Sequence, residues 1–377
     1  MHLCDITMFY APHGGGVRRY LGAKHDWLER HSALRHTLLT PGDSCGWATE
    51  HRYTLKAFPL PFSDGYRFPL RLRPWLDALQ MLSPTLIEAG DPYRLGWAAV
   101  AAGQKLGAPV IAFYHSDFPR LVSARFGKRA EPLAQQYVRR LYSRFDLVLT
   151  PSKVMQAQLH ALGVARTRVQ PLGVDLALFH PRLRSPKLRR TLGLSGSTRL
   201  LVFAGRNARE KHVGHLMDAA GLLGKDYHLL LVGPDMPRPA HPNVSVFSRY
   251  IEAKELAVCL ASSDALVHAG DMETFGLIAL EAMASGIPLV GVDAGAIPEL
   301  VSPSTAVLAS KPTPAALAEA IAGLFQRDTR KMGGWARKWV ETRWSWERSF
   351  RDLHAVYFEM LGLPSPNPQE APCLVTA

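Results

Sequence analysis

Two glutamates eight residues apart, Glu273 and Glu281, mark the part of this 377-residue chain richest in possible chemistry. They lie in His268-Ala-Gly-Asp-Met-Glu-Thr-Phe-Gly-Leu-Ile-Ala-Leu-Glu-Ala-Met-Ala-Ser-Gly-Ile-Pro288, which reads as the end of a buried strand at 265–268, a short loop and a helix. Thr274 suits an N-cap, and Gly276 allows a close backbone approach at the helix start. Gly286 stops the helix, and Pro288 prevents its resumption before the next apolar run. A helical Glu281 leans toward the helix N-terminus, the end that attracts anions. At about 1.5 Å rise per residue, the backbone between the two acids covers roughly 10–12 Å. An anionic group flanked by two hydroxylated groups fits that span, as in a sugar, a diphosphate and a ribose.

Cations that could meet such an anion stand earlier in the chain. In Gly205-Arg206-Asn-Ala-Arg-Glu-Lys211, Arg206 as a fork and Lys211 as a point charge could grip a diphosphate. Taken alone, the same residues read as solvated loop charges. The stretch is not a P-loop, because Glu210 precedes the lysine and His212 follows it. Gly14-Gly15-Gly16-Val17, between the first strand and the first helix, lets backbone N–H groups approach a phosphate or sugar, or is a plain tight turn. It lacks the spacing of a dinucleotide fingerprint. His115, in Tyr114-His-Ser-Asp-Phe-Pro119, follows a strand and could hydrogen-bond a substrate hydroxyl or handle a proton, against the alternative of a structural loop histidine. Glu88-Ala-Gly-Asp91-Pro-Tyr93 ends the preceding strand, where it could shape an acceptor side. The chain has no D-x-D, no set of side chains with metal-ligand spacing and no G-x-S-x-G elbow. If the chemistry is sugar transfer, charge on a departing diphosphate must be met by Arg, Lys and a helix dipole, with no metal.

The elements that must position these groups alternate. Apolar strand runs at 3–8, 37–40, 86–89, 110–113 and 147–150 are separated by helical patterns at 17–29, 74–81, 95–105, 132–142 and 153–162. After a segment at 178–197 that is rich in Pro, Arg and Lys and reads as an interdomain linker, the alternation restarts. Strands are expected at 200–204, 229–232, 244–247, 265–268 and 306–308, with helices at 213–223, 254–261, 296–301, 314–324, 330–342 and 346–361. Such a pattern predicts α/β, doubly wound parallel sheets. Two of them in tandem put the carboxyl ends of both sheets on one cleft. Residues 364–377 have little to bury and read as a loose tail.

Composition narrows the class. With 47% hydrophobic and 20% charged residues, and no run of the roughly 18–20 apolar residues of a spanning helix, the chain reads as a globular cytoplasmic protein. No signal-like segment opens it, and Cys4, Cys45, Cys259 and Cys373 are scattered as free thiols would be. The net charge of +12 concentrates in basic residues interleaved with apolar ones, at 66–75 and 120–144. That interleaving suits an anionic membrane surface as well as it suits an ordinary solvated face. A nucleic-acid groove is opposed by the acidic pair Glu273 and Glu281.

Together these pieces resemble the retaining GT-B glycosyltransferases of family 4, the group 1 glycosyltransferases that include bacterial mannosyltransferases. The resemblance rests on Gly14–Val17, Tyr114–Pro119, Pro171-Leu-Gly-Val-Asp175 with Phe179, Gly205-Arg206 with Glu210-Lys211, Glu273-Thr-Phe-Gly276 with Glu281, Gly286–Pro288, Ile297–Glu299 and Ser345-Trp346. It implies an N-terminal acceptor-side domain at 1–175 that takes back the helix from about 346, and a donor domain at 176–345. It implies a nucleotide diphosphate sugar as donor substrate, GDP-mannose ahead of UDP-sugars, with no cofactor and no metal. A lipid or glycan would accept the hexose, at the inner face of the cytoplasmic membrane. Glu273 would hold sugar hydroxyls, and the backbone of Thr274, Phe275 and Gly276 would meet sugar and diphosphate. Glu281 would bind the ribose diol. Arg206 and Lys211 would neutralise the leaving diphosphate, with Gly15 and Gly16 approaching it and His115 beside the transferred sugar. The base would lie near Gly233, Tyr250 and Ile251. Asp271 departs from the Ser/Pro-rich loop usual there and adds a negative charge. The alternatives are a nucleotide-sugar epimerase of the same fold and, in another class, a basic nucleic-acid-binding protein.

Overall fold

The computed structural model describes residues 1–11, 15–60 and 65–364. Gly14, Cys373 and the tail beyond Pro364 lie outside the described residues. The chain forms two compact units, Met1–Pro171 with Ser349–Ala377, and Leu172–Arg348.

Unit 1 contains β1 (His2–Ile6), β2 (Arg35–Gly42), β3 (Gly46–Trp47), β4 (Arg52–Lys56), the small pair β5 (Phe58–Pro59) and β6 (Arg67–Phe68), then β7 (Leu86–Ala89), β8 (Val110–Phe113), β9 (Leu147–Thr150) and β10 (Thr167–Val169). The main sheet runs β10-β9-β8-β7-β1-β2-β4-β3, parallel except for β3. Its central strands are apolar because crossover helices cover both faces; Leu3, Cys4, Ile6, Leu86 and Ile87 are sealed. Strands β4 and β10 escape a sequence reading because Arg52-Tyr-Thr-Leu-Lys56 and Thr167-Arg-Val169 carry no apolar run. The chain after Asp117 also turns helical at once, Phe118–Phe126, with Asp117 accepting from Arg120 N at 3.2 Å.

The C-terminal helix, Trp346–Met360, enters unit 1 at Ser349, whose hydroxyl donates to Pro171 O at 2.7 Å. A buried charge cluster fastens it there. Lys24, on helix Gly16–His31 and wholly buried, donates to Asp5 at 2.8 Å, to Glu88 at 2.9 Å and to the Tyr357 hydroxyl at 2.8 Å. Asp5 and Glu88 face each other in the β1–β7 register, and Tyr357 donates onward to Glu88 at 2.6 Å. Glu88 therefore belongs to the interior and not to an acceptor side: it sits within β7, where its side chain meets Lys24 and not solvent.

Unit 2 contains β11 (Arg199–Ala204), β12 (Tyr227–Val232), β13 (Val244–Phe247), β14 (Ala265–Val267), β15 (Leu289–Val292) and β16 (Ala306–Ala309), ordered β13-β12-β11-β14-β15-β16 and parallel throughout. This is the doubly wound order, which reverses between β11 and β14. Phe203, Leu216, Leu231, Val267, Val290, Leu317 and Ile321 belong to one core. Helix Leu277–Ala284 is apolar nearly all round, and Ala279–Ala284 are buried.

The segment at 178–197 is no linker. It carries a 3-10 turn, Pro181–Leu183, and a helix, Pro186–Thr191, both docked on unit 2. Arg184 and Arg189 converge on Asp264, the former at 2.9 Å, and Ser185 N donates to Ser262 Oγ at 3.0 Å. Basic, proline-rich composition looks unpacked until the carboxylate that receives it is known. Gly173 runs so close to Ser345 and Trp346 that a Cβ would stand 2.6 Å from their backbone. Cys4, Cys45 and Cys259 are free thiols. No helix among the described residues is long and apolar enough to cross a membrane.

Candidate active site

Open α/β sheets bind ligands beyond the carboxyl ends of the strands where the order reverses. In unit 2 the loops at that point are Gly205–His212, after β11, and His268–Gly276, after β14. Gly233, at the end of β12 with φ +145°, presses against the first loop; a Cβ there would lie 1.7 Å from Gly205 O. Only glycine satisfies both that φ and that approach. Arg206 follows, exposed, its guanidinium with no hydrogen-bond partner among the described residues. A 3-10 turn, Arg209–Lys211, and His212 in the left-handed region (φ +48°) then bring Lys211 back over the strand ends.

Lys211 meets Glu273. Its ammonium donates to Glu273 Oε1, and His268 Nε2 reaches the same oxygen at 3.0 Å. The side chains of Lys211 and Glu273 are 21% and 13% exposed. Burial alone would raise the Glu273 carboxyl, but Lys211 and then His268 outweigh it and hold the group well below the ordinary carboxylate range. Two donors converge on Oε1, so Oε2 is the oxygen left to accept from a ligand. Glu273 is thus a fixed, ionised hydrogen-bond acceptor.

The loop carrying Glu273 is braced from β15. Gly295, φ +59°, lies where a Cβ would stand 2.8 Å from Glu273 O, and Ala296 N donates to that oxygen at 2.9 Å. Asp271 Oδ1 lies 3.2 Å from His212 Nε2, an approach between the two loops without a hydrogen bond. The helix begins at Leu277 with Gly276 as N-cap, φ +99°, and not at Thr274. A helix capped at Thr274 would have to run through Gly276, whose left-handed φ is not helical, and a Cβ on Gly276 would stand 2.8 Å from Ile297 Cδ1. Phe275 turns inward, 3% exposed, edge-on to Trp344 at 5.9 Å. Glu281 is buried on the second turn of the helix. Ile251 is buried and Tyr250 exposed, just past β13 and before helix Ala253–Ser262.

The remaining candidates lie in unit 1. Gly15 caps helix Gly16–His31 with open space around its Cα. His115 follows β8, stacks on Phe113 at 4.0 Å and meets Tyr20 edge-on. Burial, then the charge of Lys24, push its imidazole down to about 3. A neutral ring suits hydrogen bonding better than proton donation.

Sequence reasoning named Lys211 and Glu273 for separate tasks; the structure pairs them. It missed His268, His212 and Gly295. The available signal for His268 was a titratable residue ending an otherwise apolar strand. Gly295 had none, because its function is to leave room for a loop distant in sequence.

Fixed carboxylate, free guanidinium, movable ammonium and close-packed glycines at one switch point can hold a polyhydroxylated, anionic ligand. Comparison with known proteins agrees in class. The sequence model described as Glycosyltransferase Family 4 matches residues 14–178, and that described as Glycosyl transferases group 1 matches residues 198–327. Proteins named GDP-mannose-dependent alpha-mannosyltransferase are 34% identical over 60% of each chain in Mycobacterium tuberculosis and 33% identical over 67% of each chain in Mycolicibacterium smegmatis. The GDP-mannose-dependent alpha-(1-6)-phosphatidylinositol dimannoside mannosyltransferase of M. tuberculosis is 29% identical over 94% of this chain and 95% of its own. Sucrose-phosphate synthase from Thermosynechococcus elongatus shares the fold, with a TM-score of 0.80 at 20% identity over 96% of this chain and 100% of that one. The chain belongs to the group 1 glycosyltransferases of family 4 and has their GT-B fold.

Proposed function

We propose that the protein is a retaining, metal-independent mannosyltransferase that moves mannose from GDP-mannose, in preference to UDP-sugars, to a hydroxyl of a lipid or cell-envelope glycan. The observation that carries this reading is Glu273, ionised, held through Oε1 and open at Oε2, on the loop facing Arg206 and Lys211. Held so far below its ordinary range, Glu273 receives hydroxyl protons of the sugar and has none to give to a leaving group. Arg206 and Lys211 take the diphosphate, Glu281 the ribose diol, and the surface near Gly233, Tyr250 and Ile251 the guanine. In unit 1, Gly15 and Gly16 offer backbone N–H groups suited to a phosphate, and the neutral His115 offers a hydrogen bond suited to a hydroxyl. The choice of GDP-mannose is supported by the names of the mycobacterial relatives. Charge on the departing diphosphate is met by these cations and the N-terminus of Leu277–Ala284, which is why no divalent ion is invoked.

A lipid acceptor is supported by unit 1. Phe126 and Leu133, both 71% exposed, stand with Leu121 among Arg120, Arg125, Lys128 and Arg129, a mixture suited to the inner face of an anionic membrane. Thermal-shift measurements against nucleotides and nucleotide sugars test the donor. GDP-mannose at 100 times its Kd should stabilise the protein by about 2.7 kcal/mol. A UDP-sugar that stabilises more strongly overturns the choice. Lys211→Ala and Glu273→Ala should fold and lose transfer by about 10²–10³-fold. Full activity in Lys211→Ala removes the phosphate clamp.

A further inference from the structure

Glu273 is held from two sides, and the two holds differ in kind. Lys211 comes from a loop on a flexible four-carbon stem, and the proposed clamp lends the same ammonium to the diphosphate. His268 comes from the end of β14 and is immobile: its side chain is 1% exposed, and its backbone N donates to Val290 O at 2.9 Å. The ring of Phe203 lies 6.2 Å away on one side. Gly270 covers the imidazole so closely that a Cβ there would stand 2.6 Å from Cε1. That contact gives Gly270 a reason to be glycine that has nothing to do with turn geometry.

We propose that His268 is the positioning residue of this site. It retains Glu273 Oε1 when the diphosphate draws Lys211 away, so that Oε2 keeps facing the donor sugar. The hydrogen bonding assigns the proton: His268 Nδ1 is buried with no partner among the described residues, so a proton there would lack an acceptor, and Nε2 is the donor to Glu273. A neutral imidazole is enough, because the carboxylate supplies the charge that strengthens the bond. Lys211 then has two positions, on Glu273 in the empty site and on phosphate in the loaded one, while the carboxylate keeps a single orientation. Nucleotide binding and sugar binding are thereby separable, since the sugar needs the His268 contact and the diphosphate does not.

This inference rests on the nucleotide-sugar reading of the site, and the experiment separates the two. Binding of GDP and of GDP-mannose, and kcat/KM for transfer, are measured on the wild type and on three variants. His268→Ala removes the bond to Glu273. His268→Asn keeps a polar group but ends near the Nδ1 position, short of the carboxylate. His268→Gln carries an amide nitrogen to the reach of Nε2. Loss of one hydrogen bond to a charged group predicts a fall in kcat/KM and in GDP-mannose affinity of about 10–100-fold for Ala and Asn. Affinity for GDP should be unchanged in both, and Gln should recover most of the loss. A parallel fall in GDP and GDP-mannose binding makes His268 merely structural and overturns the proposal, as does Gln no better than Asn, or Ala with wild-type kcat/KM. If the wild type prefers another nucleotide sugar, the same ratio is taken with that sugar nucleotide and its nucleoside diphosphate. A wild type that binds no nucleotide sugar overturns the reading underneath.

Discussion

In unit 1, Lys24 stands against Asp5 and Glu88, with His36 Nε2 on Asp5 at 2.8 Å; in unit 2, Lys211 stands against Glu273, with His268 on the same carboxylate. The cast of lysine, acid and histidine is the same at both switch points. The difference is position along the strand. Asp5 and Glu88 lie within β1 and β7, so helices cover them, whereas Glu273 lies past the end of β14. In the unit 1 cluster both oxygens of each carboxylate have a protein partner: Lys24 and His36 supply Asp5, and Lys24 and the Tyr357 hydroxyl supply Glu88. In unit 2 both donors crowd onto Oε1. Burial opposes the charge on Asp5 too, and Lys24 followed by His36 outweighs it. A few residues of displacement along a strand therefore turn a structural clasp into an unfinished one that a ligand can complete.

The two lysines give the sharpest way to break this comparison. Lys24→Met leaves two buried acids without their cation, and removing one partner of a buried ion pair typically costs about 3–5 kcal/mol. Lys211→Ala leaves a carboxylate that water and His268 still reach, so it should cost far less stability while removing activity. Urea denaturation of the two variants side by side checks this. Equal midpoints would mean that the cluster in unit 1 is no more structural than the one in unit 2.

The clasp in unit 1 also reaches His115, whose imidazole is pushed down by burial and then by the Lys24 charge. The folded protein takes up the proton only near pH 3, whereas the unfolded chain takes it up near its ordinary 6.5. Protons therefore favour the unfolded state as pH falls between those values. The stability that His115 contributes is present above about 6.5 and lost progressively toward 3, with a slope of at most about 1.4 kcal/mol per pH unit. His115→Gln should flatten that part of the profile, measured as unfolding midpoints at a series of pH values. A profile unchanged by the substitution would show that His115 titrates normally in the folded state.

How much of this could be read from the sequence follows from which interactions are local. Apolar runs such as Leu86-Ile-Glu-Ala89 and Leu229-Leu-Leu-Val232 announce buried parallel strands, and the Gly276, Gly286 and Pro288 punctuation announces a short helix. Lys211 and Glu273 were identifiable because each sits in a loop between such elements. Their contact was not, because it bridges 62 residues and depends on strand order. The same holds for Lys24 with Tyr357, 333 residues apart, and for Arg184 and Arg189 with Asp264. Glu88 misled because its place at the end of a strand suggested an acceptor side, while in space it is buried against Lys24 and Tyr357. Thr274 misled because threonine is a common N-cap, and the left-handed backbone at Gly276, close against Ile297, is visible only in the fold.

The smallest expected effect concerns the other close approach between the two loops of unit 2. Asp271 and His212 meet at 3.2 Å with side chains 36% and 24% exposed, a geometry whose contribution to stability is at most about 1 kcal/mol. Asp271 also adds a negative charge two residues before Glu273, on a loop proposed to receive a dianionic diphosphate. Those roles oppose each other. If charge dominates, Asp271→Asn binds GDP more tightly, by less than about tenfold, and the gain disappears as salt screens it. If the contact with His212 dominates, Asp271→Asn loosens the loop and binds GDP-mannose more weakly at every ionic strength, with GDP little affected. Exposure of both partners favours charge, so the expected result is tighter GDP binding at low salt that converges with the wild type at high salt. A salt-independent loss confined to the sugar nucleotide would instead make the His212 contact part of the same bracing that Gly295 and Ala296 give Glu273, and would extend the clasp in unit 2 beyond His268.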